Sequence, residues 1–340
     1  MQVYRWPEGP KPPVAPRLVA VGAFDGLHLG HQQVVRQLLA HAKEQGWLAC
    51  LVTFEPVPAQ VFFPGPPQNL RLTTSAERQA LLDRFGLDEL CLLDFSRFEL
   101  RAMTAEAFIA QVLVEELGAV GLAGAANHTM GSDQQPWSTL ADIAARVGLR
   151  VFEVPMAAVG ADSISSTRIR ELIWKGQVAE AAELIGRPYV VVGSVMKGTG
   201  TGRKLGFPTL NIDTPPDKLL PPDGVYCGWV AGEVFGPGLL SVPLWGRSWP
   251  AAVNIGRCPT RSQAAGNGDA NNGETAAPRT VEVHVVGWEG DAVGAEVVLG
   301  FIERLRTEQV FPSLDALAKQ IGRDVRSCFD LVDDRYGSAE

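Results

Sequence analysis

Residues 17–46, RLVAVGAFDGLHLGHQQVVRQLLAHAKEQG, decide the fold. The apolar run Leu18 to Val21 ends in a glycine-rich turn, after which Val34, Val35, Leu38, Leu39 and Ala42 fall on one helical stripe. A buried strand that turns tightly into an amphipathic helix is the opening half of a parallel strand-helix-strand unit. The turn carries Gly22, Gly26 and Gly30, and it places His28 and His31 either side of Leu29-Gly30 in a chain with 5 histidines among 340 residues. In an open parallel sheet, ligands gather at the carboxyl ends of the strands, where helix N-termini offer free N–H groups and partial positive charge. Glycine lets the backbone approach a phosphate closely, and an imidazole can donate to phosphoryl oxygens as charge builds on a leaving pyrophosphate.

The same alternation runs from Leu18 to Ile185. WLACLVTFEP is followed by TSAERQALLDRFG, a helix opened by Thr74 with Glu77 in capping-box spacing, and then by DELCLLDF. TAEAFIAQVLVEELG, AVGLAGA, STLADIAARVG, LRVFEVP and SSTRIRELIWKG continue it. This predicts an α/β domain, a doubly wound parallel sheet with helices on both faces. After Pro188 the texture changes to strand-like runs separated by Gly/Pro turns, with one long helix at SLDALAKQIGRDVRSCFDLV led by Ser313. A small antiparallel β-barrel closed by a C-terminal helix is expected there. The boundary is placed in LIGRPY, giving domains 1–185 and 186–340. Residues 261–278, RSQAAGNGDANNGETAAP, cannot offset their ordering entropy by burial and are expected to form a mobile loop.

Composition narrows the class. A formal net charge of −8 argues against nucleic-acid partners bound through a basic surface. Cys50, Cys91, Cys227, Cys258 and Cys328 are odd in number and lack metal-ligand spacing, so they read as reduced thiols. The N-terminal MQVYRWPEGPKPPVAP lacks the apolar stretch of a signal peptide, and no apolar run is long enough to cross a bilayer. A cytoplasmic protein with no membrane partner is expected.

A second phosphate signal lies at residues 164–173, ISSTRIRELI, where Ser165, Ser166 and Thr167 start a helix that carries Arg168 and Arg170. Together with HxGH this resembles the HxGH nucleotidyltransferase superfamily. VGAFDGLHLGHQ, TFEP, RLTT, ISSTRIRELI and GRPY, in that order, resemble the N-terminal module of the prokaryotic bifunctional riboflavin kinase/FAD synthetase family. The resemblance implies transfer of AMP from ATP to FMN with release of pyrophosphate. It implies that His28 and His31 hold the ATP phosphates through the transition state, and that Gly22, Phe24, Asp25, Gly30, Asn127, Ser166, Thr167 and Arg168 bind the nucleotides.

Downstream, VMKGTGTGRKLGFPTLNI (195–212) sets Gly198, Gly200 and Gly202 among Lys197, Arg203 and Lys204. No GK[ST] follows, and the next element is a strand, so this is neither a Walker loop nor a dinucleotide fingerprint. Thr209 and Asn211 share a strand face and can share a hard cation such as Mg²⁺ that keeps its water and phosphate ligands. In TVEVHVV, Glu282 and His284 share the face opposite Val281 and Val283; a carboxylate directed into a small barrel is costly unless paired or working. His284 reads as a structural hydrogen-bonder. The series from GRKLGFPTLN through PPDGVY, AAVNIG and VEVH to RLRTEQVF resembles the riboflavin kinase module of the same family. It implies transfer of the ATP γ-phosphoryl group to the riboflavin 5′-hydroxyl. Glu282 is then the base, Thr209 and Asn211 bind Mg²⁺ and phosphate, Gly198 to Arg203 cover the nucleotide, and Arg306 lies toward the flavin.

Two departures fall in the first module. Val57 stands where family members often carry histidine, and GAANHTMG keeps Asn127 but has His128 and Met130 where aromatics are usual. Losing two aromatic faces weakens stacking by about 1 kcal/mol each where they touch the ring. A riboflavin kinase with a degenerate first domain therefore stays open beside the bifunctional enzyme that binds riboflavin, FMN, FAD and ATP. So does a flavin-storing protein without chemistry, against which Glu282 argues.

Overall fold

The computed structural model describes residues 1–63, 65–67, 70–155, 158–159, 162–198, 200–236, 240–242, 246–257 and 279–336. Cys258 and the loop expected at 261–278 lie outside them.

The first compact unit, Met1–Arg170, contains β1 (Gln2–Trp6), β2 (Arg17–Val21), α1 (Leu29–Gln45), β3 (Leu48–Glu55), α2 (Pro58–Phe62), α3 (Ser75–Arg84) and β4 (Glu89–Asp94). It continues with α4 (Phe98–Ala102), α5 (Ala105–Ala107, extended by the π-helical Phe108–Glu116), β5 (Ala119–Ala125), β6 (Thr129–Met130), β7 (Gln135–Pro136), α6 (Trp137–Arg146), β8 (Arg150–Val154), β9 (Ala158–Val159) and β10 (Asp162–Ser163). Six strands form one parallel sheet in the order β1-β4-β3-β2-β5-β8. Alternate residues of β2 serve opposite faces: Val19 and Val21 join the cluster of Phe108, Ile109, Leu140 and Ile143, while α1 packs against β2 and β3 with Val35, Leu38 and Ala42 buried. That is the doubly wound arrangement expected. Strand order turns back at β2, so the loop Gly22–His28 lies at the switch point, where such sheets bind ligands.

The Thr74 cap forms as expected: its side chain accepts from Glu77 N at 3.1 Å, and Glu77 answers from Thr74 N at 2.8 Å. The strand β1 was not anticipated. Its five residues QVYRW include a charge and show no clean alternation, and only parallel pairing of Gln2–Trp6 with Glu89–Leu93 makes them a strand.

The second unit, Glu171–Glu340, begins inside α7 (Ser166–Lys175) and holds α8 (Val178–Ile185), β11 (Tyr189–Met196), α9 (Thr201–Lys204), β12 (Leu210–Asp213), β13 (Gly224–Ala231) and β14 (Leu240–Val242). β15 (Gly246–Arg257), β16 (Arg279–Val285), β17 (Glu296–Arg306) and α10 (Leu314–Tyr336) complete it. The texture of the sequence changes at Pro188, whereas the compact units part at Arg170; α8 packs on β11 and β17, which draws it to the second unit. The strands run β13-β17-β11-β12-β16-β15, and pairing of β13 with β15 closes them into a six-stranded antiparallel barrel. Tyr189, Tyr226, Val253, Ile255, Val281, Val283, Leu299 and Phe301 are fully buried, while Cys227, Trp229, Ala252 and Ile302 meet Cys328 and Val332 of α10. A Cβ on Gly300 would stand 2.1 Å from the Trp229 indole, so glycine there makes room for the largest buried side chain. Ser313 Oγ accepts from Ala316 N at 3.2 Å, as its capping role requires. Among the described residues no helix is long and apolar enough to cross a membrane.

Candidate active sites

The first site starts from an awkward stretch of backbone. Phe24 (φ 48°), Gly26 (φ 81°) and Leu27 (φ 39°) are all left-handed, and for a non-glycine residue that costs about 1–3 kcal/mol. A Cβ at Gly26 would also meet Leu72 at 2.8 Å. The turn holds because its polar groups are tied down. Ala23 O accepts from Thr53 Oγ1 at 3.0 Å and from Arg78 Nη1 at 2.8 Å, and Gly26 N donates to Thr73 Oγ1 at 3.0 Å. Asp25, 1% exposed, accepts from Leu72 N at 3.0 Å, from Thr73 N at 2.8 Å, from Thr73 Oγ1 at 3.0 Å and from Arg170 Nη2. Burial alone would raise its pKa; Arg170, the two backbone N–H groups and Arg78 outweigh that and hold it below the ordinary value. Ser166 Oγ donates to Asp25 O at 2.9 Å, which fixes the start of α7 beside the turn.

The turn delivers His28 as the N-cap of α1, its Nδ1 accepting from His31 N at 3.3 Å. A Cβ on Gly30 would stand 3.2 Å from the His28 ring, so glycine between the histidines lets that ring fold back. The two imidazoles stack with centroids 3.6 Å apart. Burial, then neighbouring His28, Arg78, Arg170 and His128, hold His31 well below the ordinary histidine pKa, so it is neutral, with a buried Nδ1 that has no hydrogen-bond partner among the described residues.

These groups open on a cavity of about 870 Å³. Gly22, Phe24, His28, Gly30, His31, Asn127 and Ser166 line it; Thr167, Arg168 and Asp25 do not, and the Asp25 carboxylate is spent on protein donors. The wall also carries Phe54, Phe62, Phe95, Phe108, Met103 and Met130, with Phe54–Phe95 and Phe62–Phe95 ring centroids 5.1 and 5.6 Å apart. The sequence reading missed these rings, which come from four separate segments. Val57 is wholly buried and off the wall.

The second site is laid out on the barrel. A cavity of about 790 Å³ is lined by Lys197, Gly198, Gly200, Arg203, Thr209 and Trp288. Gly202, Asn211, Glu282 and Arg306 are not on that wall. The loop glycines are dictated by close approach: a Cβ on Gly198 would lie 2.0 Å from Asn211 Nδ2, and one on Gly202 would lie 3.0 Å from Thr209 Oγ1. Gly200, left-handed at φ 73°, starts α9. Asn211 pairs across the ladder with Glu282, and Glu282 with Asn254 on the other side. Asn254, not singled out in the sequence, is a ladder neighbour of Glu282 by register alone.

The side of the barrel differs from expectation. Val281, Val283 and Val285 fill the buried face, so Glu282 and His284 point the other way, toward the face where Ala252, the partner of His284, meets α10. Glu282 is half-buried and has no hydrogen-bond or ion-pair partner among the described residues; burial raises its pKa. His284 Nδ1 lies 2.9 Å from Pro208 O, a structural contact as expected. The Arg306 guanidinium is engaged by Asp324 of α10, at 2.8 Å from Nη2, and stacks over Phe311.

Each compact unit holds one of these cavities, the first walled in part by His28, His31 and Ser166, the second by Lys197 and Arg203 beside the carboxylates Glu289 and Asp291. The FAD synthetase family pattern matches residues 12–168 and the riboflavin kinase pattern residues 185–332. The chain is 32% identical over 334 residues to the bifunctional riboflavin kinase/FMN adenylyltransferase of Pseudomonas fluorescens, covering 98% of each chain. It is 30% identical to the Escherichia coli K12 protein of the same description, covering 90% of each, and 30% identical to that of Haemophilus influenzae, covering 91% of this chain and 92% of the other. A crystal structure described as a macrolide-efflux protein from Streptococcus pneumoniae superposes with a TM-score of 0.79 at 27% identity, covering 94% of this chain and 96% of that one. The chain belongs to the bifunctional riboflavin kinase/FMN adenylyltransferase family.

Proposed function

We propose that residues 186–340 phosphorylate riboflavin to FMN and that residues 1–185 adenylylate FMN to FAD, with ATP consumed in each step. What supports this reading most is that each compact unit holds a sizeable cavity in a chain aligned over 98% of its length with a bifunctional relative. In the kinase step the 5′-hydroxyl oxygen of riboflavin bonds to the γ-phosphorus, the bond to the β-phosphate oxygen breaks, and ADP leaves. Glu282, without a side-chain partner among the described residues and with its pKa raised by burial, takes the hydroxyl proton. Thr209 Oγ1 and Asn211 Oδ1 suit Mg²⁺: two neutral oxygens need phosphate and water to complete a shell, and the missing Cβ of Gly198 brings the loop onto Asn211. When bound, the ion offsets charge on the phosphates. Lys197 and Arg203 add fixed positive charge at the cavity wall.

In the second step a phosphate oxygen of FMN bonds to the α-phosphorus of ATP while the bond to the departing pyrophosphate breaks. His28 and His31, at the N-terminus of α1, donate to phosphoryl oxygens as charge develops on the leaving group. Gly22, Asn127 and Ser166 orient the nucleotides, and Asp25 and Arg170 act indirectly by clamping the turn. We place the reaction in the cytoplasm, in keeping with free thiols at Cys50, Cys91, Cys227 and Cys328.

The test is a time course with riboflavin, ATP and Mg²⁺, the flavins being separated by chromatography. FMN that rises and then gives way to FAD supports both activities. FMN that accumulates without FAD, even when FMN is supplied, makes the chain a kinase with an idle first module; the Asn127–Met130 segment, on the cavity wall without an aromatic ring at 128 or 130 beyond imidazole, favours that second reading.

A further inference from the structure

Two segments far apart in sequence supply much of the wall of the first cavity. Leu100, Met103 and Phe108 come from the connection after β4, and Asn127, Met130 and Gly131 from the one after β5. The β6–β7 hairpin, closed by the pairs Thr129–Pro136 and Met130–Gln135, ties them together at its tip. Ser132 donates from N to Met103 O at 2.8 Å and from Oγ to Ala102 O at 3.0 Å, and Ala105 N donates to Asp133 Oδ1 at 2.9 Å. Ala105 opens α5, so its N–H has no carbonyl within the helix, and a carboxylate there also suits the positive end of the helix. Gln135 Nε2 donates to the other oxygen, Asp133 Oδ2, at 3.2 Å, which steadies the carboxylate. Gly131 makes the approach feasible. It is left-handed at φ 84°, and a Cβ there would stand 2.3 Å from Ala105 N, closer than a side chain allows.

This latch lies across the sheet from α1. Leu100, Ala105, Phe108 and Met130 pack with Val19 and Val21, whereas α1, whose start carries His28 and His31, packs on the opposite face. In the adenylylation read for this module, pyrophosphate leaves toward those histidines, and an in-line acceptor enters from the other side. The two latched segments therefore border the acceptor, and three hydrogen bonds make them one wall instead of two.

We propose that Asp133 is a positioning residue of the first module: with Gly131 and Ser132 it latches the β6–β7 hairpin to the start of α5 and so sets the acceptor side of the cavity. It acts through the backbone of Ala105 and touches no reacting atom. The proposal rests on the reading that FMN is the acceptor in this module.

The full chain is compared with Asp133→Ala, Asp133→Asn and Gly131→Ala by amide hydrogen exchange and by steady-state kinetics of FAD formation, with riboflavin phosphorylation as the control within the same chain. In Asp133→Ala, exchange at Ala105 and across residues 124–134 is expected to quicken together, by about tenfold. KM for FMN is expected to rise about fivefold, with kcat and KM for ATP within about twofold of native. Asp133→Asn keeps the Oδ1 acceptor and is expected to restore both exchange and KM. Gly131→Ala, which pushes the hairpin off α5, is expected to exceed Asp133→Ala in both readouts. Riboflavin phosphorylation is expected to be unchanged in all three variants. Faster exchange with KM for FMN unchanged would make Asp133 a surface cap and overturn the proposal. So would unchanged exchange, an equal rise in KM for ATP, or a fall in kcat alone, and failure of Asp133→Asn to rescue would make the charge, not the hydrogen bond, responsible and overturn it too. If the native chain makes no FAD, the adenylylation reading fails and the acceptor role with it; the exchange measurement then still shows whether the two segments are latched.

Discussion

In the first module the proposed reactive groups are placed by backbone, whereas in the second they are placed by a strand ladder. His28 and His31 are where they are because Phe24, Gly26 and Leu27 adopt left-handed angles and Asp25 pins the turn to Leu72, Thr73 and Arg170. Glu282 is where it is because β16 lies between β12 and β15 in a fixed register, with Asn211 on one side and Asn254 on the other. A turn whose contacts converge on one buried carboxylate, Asp25, is sensitive to its loss. A ladder tolerates loss of one side chain and keeps the rest in place. The modules therefore respond differently to substitutions of similar size.

The largest effect is expected at the clamp. Asp25→Asn leaves Arg170 with its buried guanidinium unpaired, and breaking such a pair costs about 3–5 kcal/mol. Chemical denaturation should show that loss, and FAD formation from supplied FMN should fall with it; an unchanged midpoint would mean that other contacts set the turn. Gly198→Ala comes next. Its Cβ would stand 2.0 Å from Asn211 Nδ2, and a tenfold fall in kcat/KM for riboflavin phosphorylation, about 1.4 kcal/mol, is expected at unchanged stability.

Acid should separate the modules more gently. His31 and His128 have pKa values lowered by burial, His128 to about 4, so the folded first module resists protons that the unfolded chain accepts near 6.5. Stability is then fully present above pH 6.5 and is lost as pH falls toward 4. Asp25, with its pKa below the ordinary 3.8, adds a further loss at lower pH as it protonates. His128→Phe should flatten the profile between pH 6.5 and 4, measured by urea midpoints; an unaltered slope would show that His128 is proton-accessible in the folded state. The smallest effect belongs to His284→Ala. Among the described residues its ring bonds Pro208 O and packs edge-on to Phe207, so phosphorylation should change less than about twofold, and a loss of tenfold or more would give it a part in the chemistry.

What the sequence made legible follows the same division. Strand, glycine turn, histidine cap and helix are local features, so residues 17–46 announced the parallel sheet and its ligand end before any contact was known. The barrel was legible from turns and alternation. Alternation says which residues share a face, not which face is inside, and Glu282 was accordingly expected in the interior that Val281 and Val283 occupy. The Asp25–Arg170 pair spans 145 positions, and Asn254 meets Glu282 only through register, so neither could be read locally. The rings of the first cavity were missed for the same reason: Phe54, Phe62, Phe95 and Phe108 converge only once the sheet is folded.

The most direct measurement is a crossed assay of Glu282→Gln and the double variant His28→Ala/His31→Ala, each supplied separately with riboflavin and with FMN in the presence of ATP and Mg²⁺. Glu282→Gln should lose about 10²–10⁴-fold in FMN formation and still convert FMN to FAD at the native rate. The histidine variant should lose at least about 10²-fold in FAD formation and still phosphorylate riboflavin. A single variant that abolishes both reactions, or Glu282→Gln forming FMN at the native rate, would contradict two separately built sites in one chain.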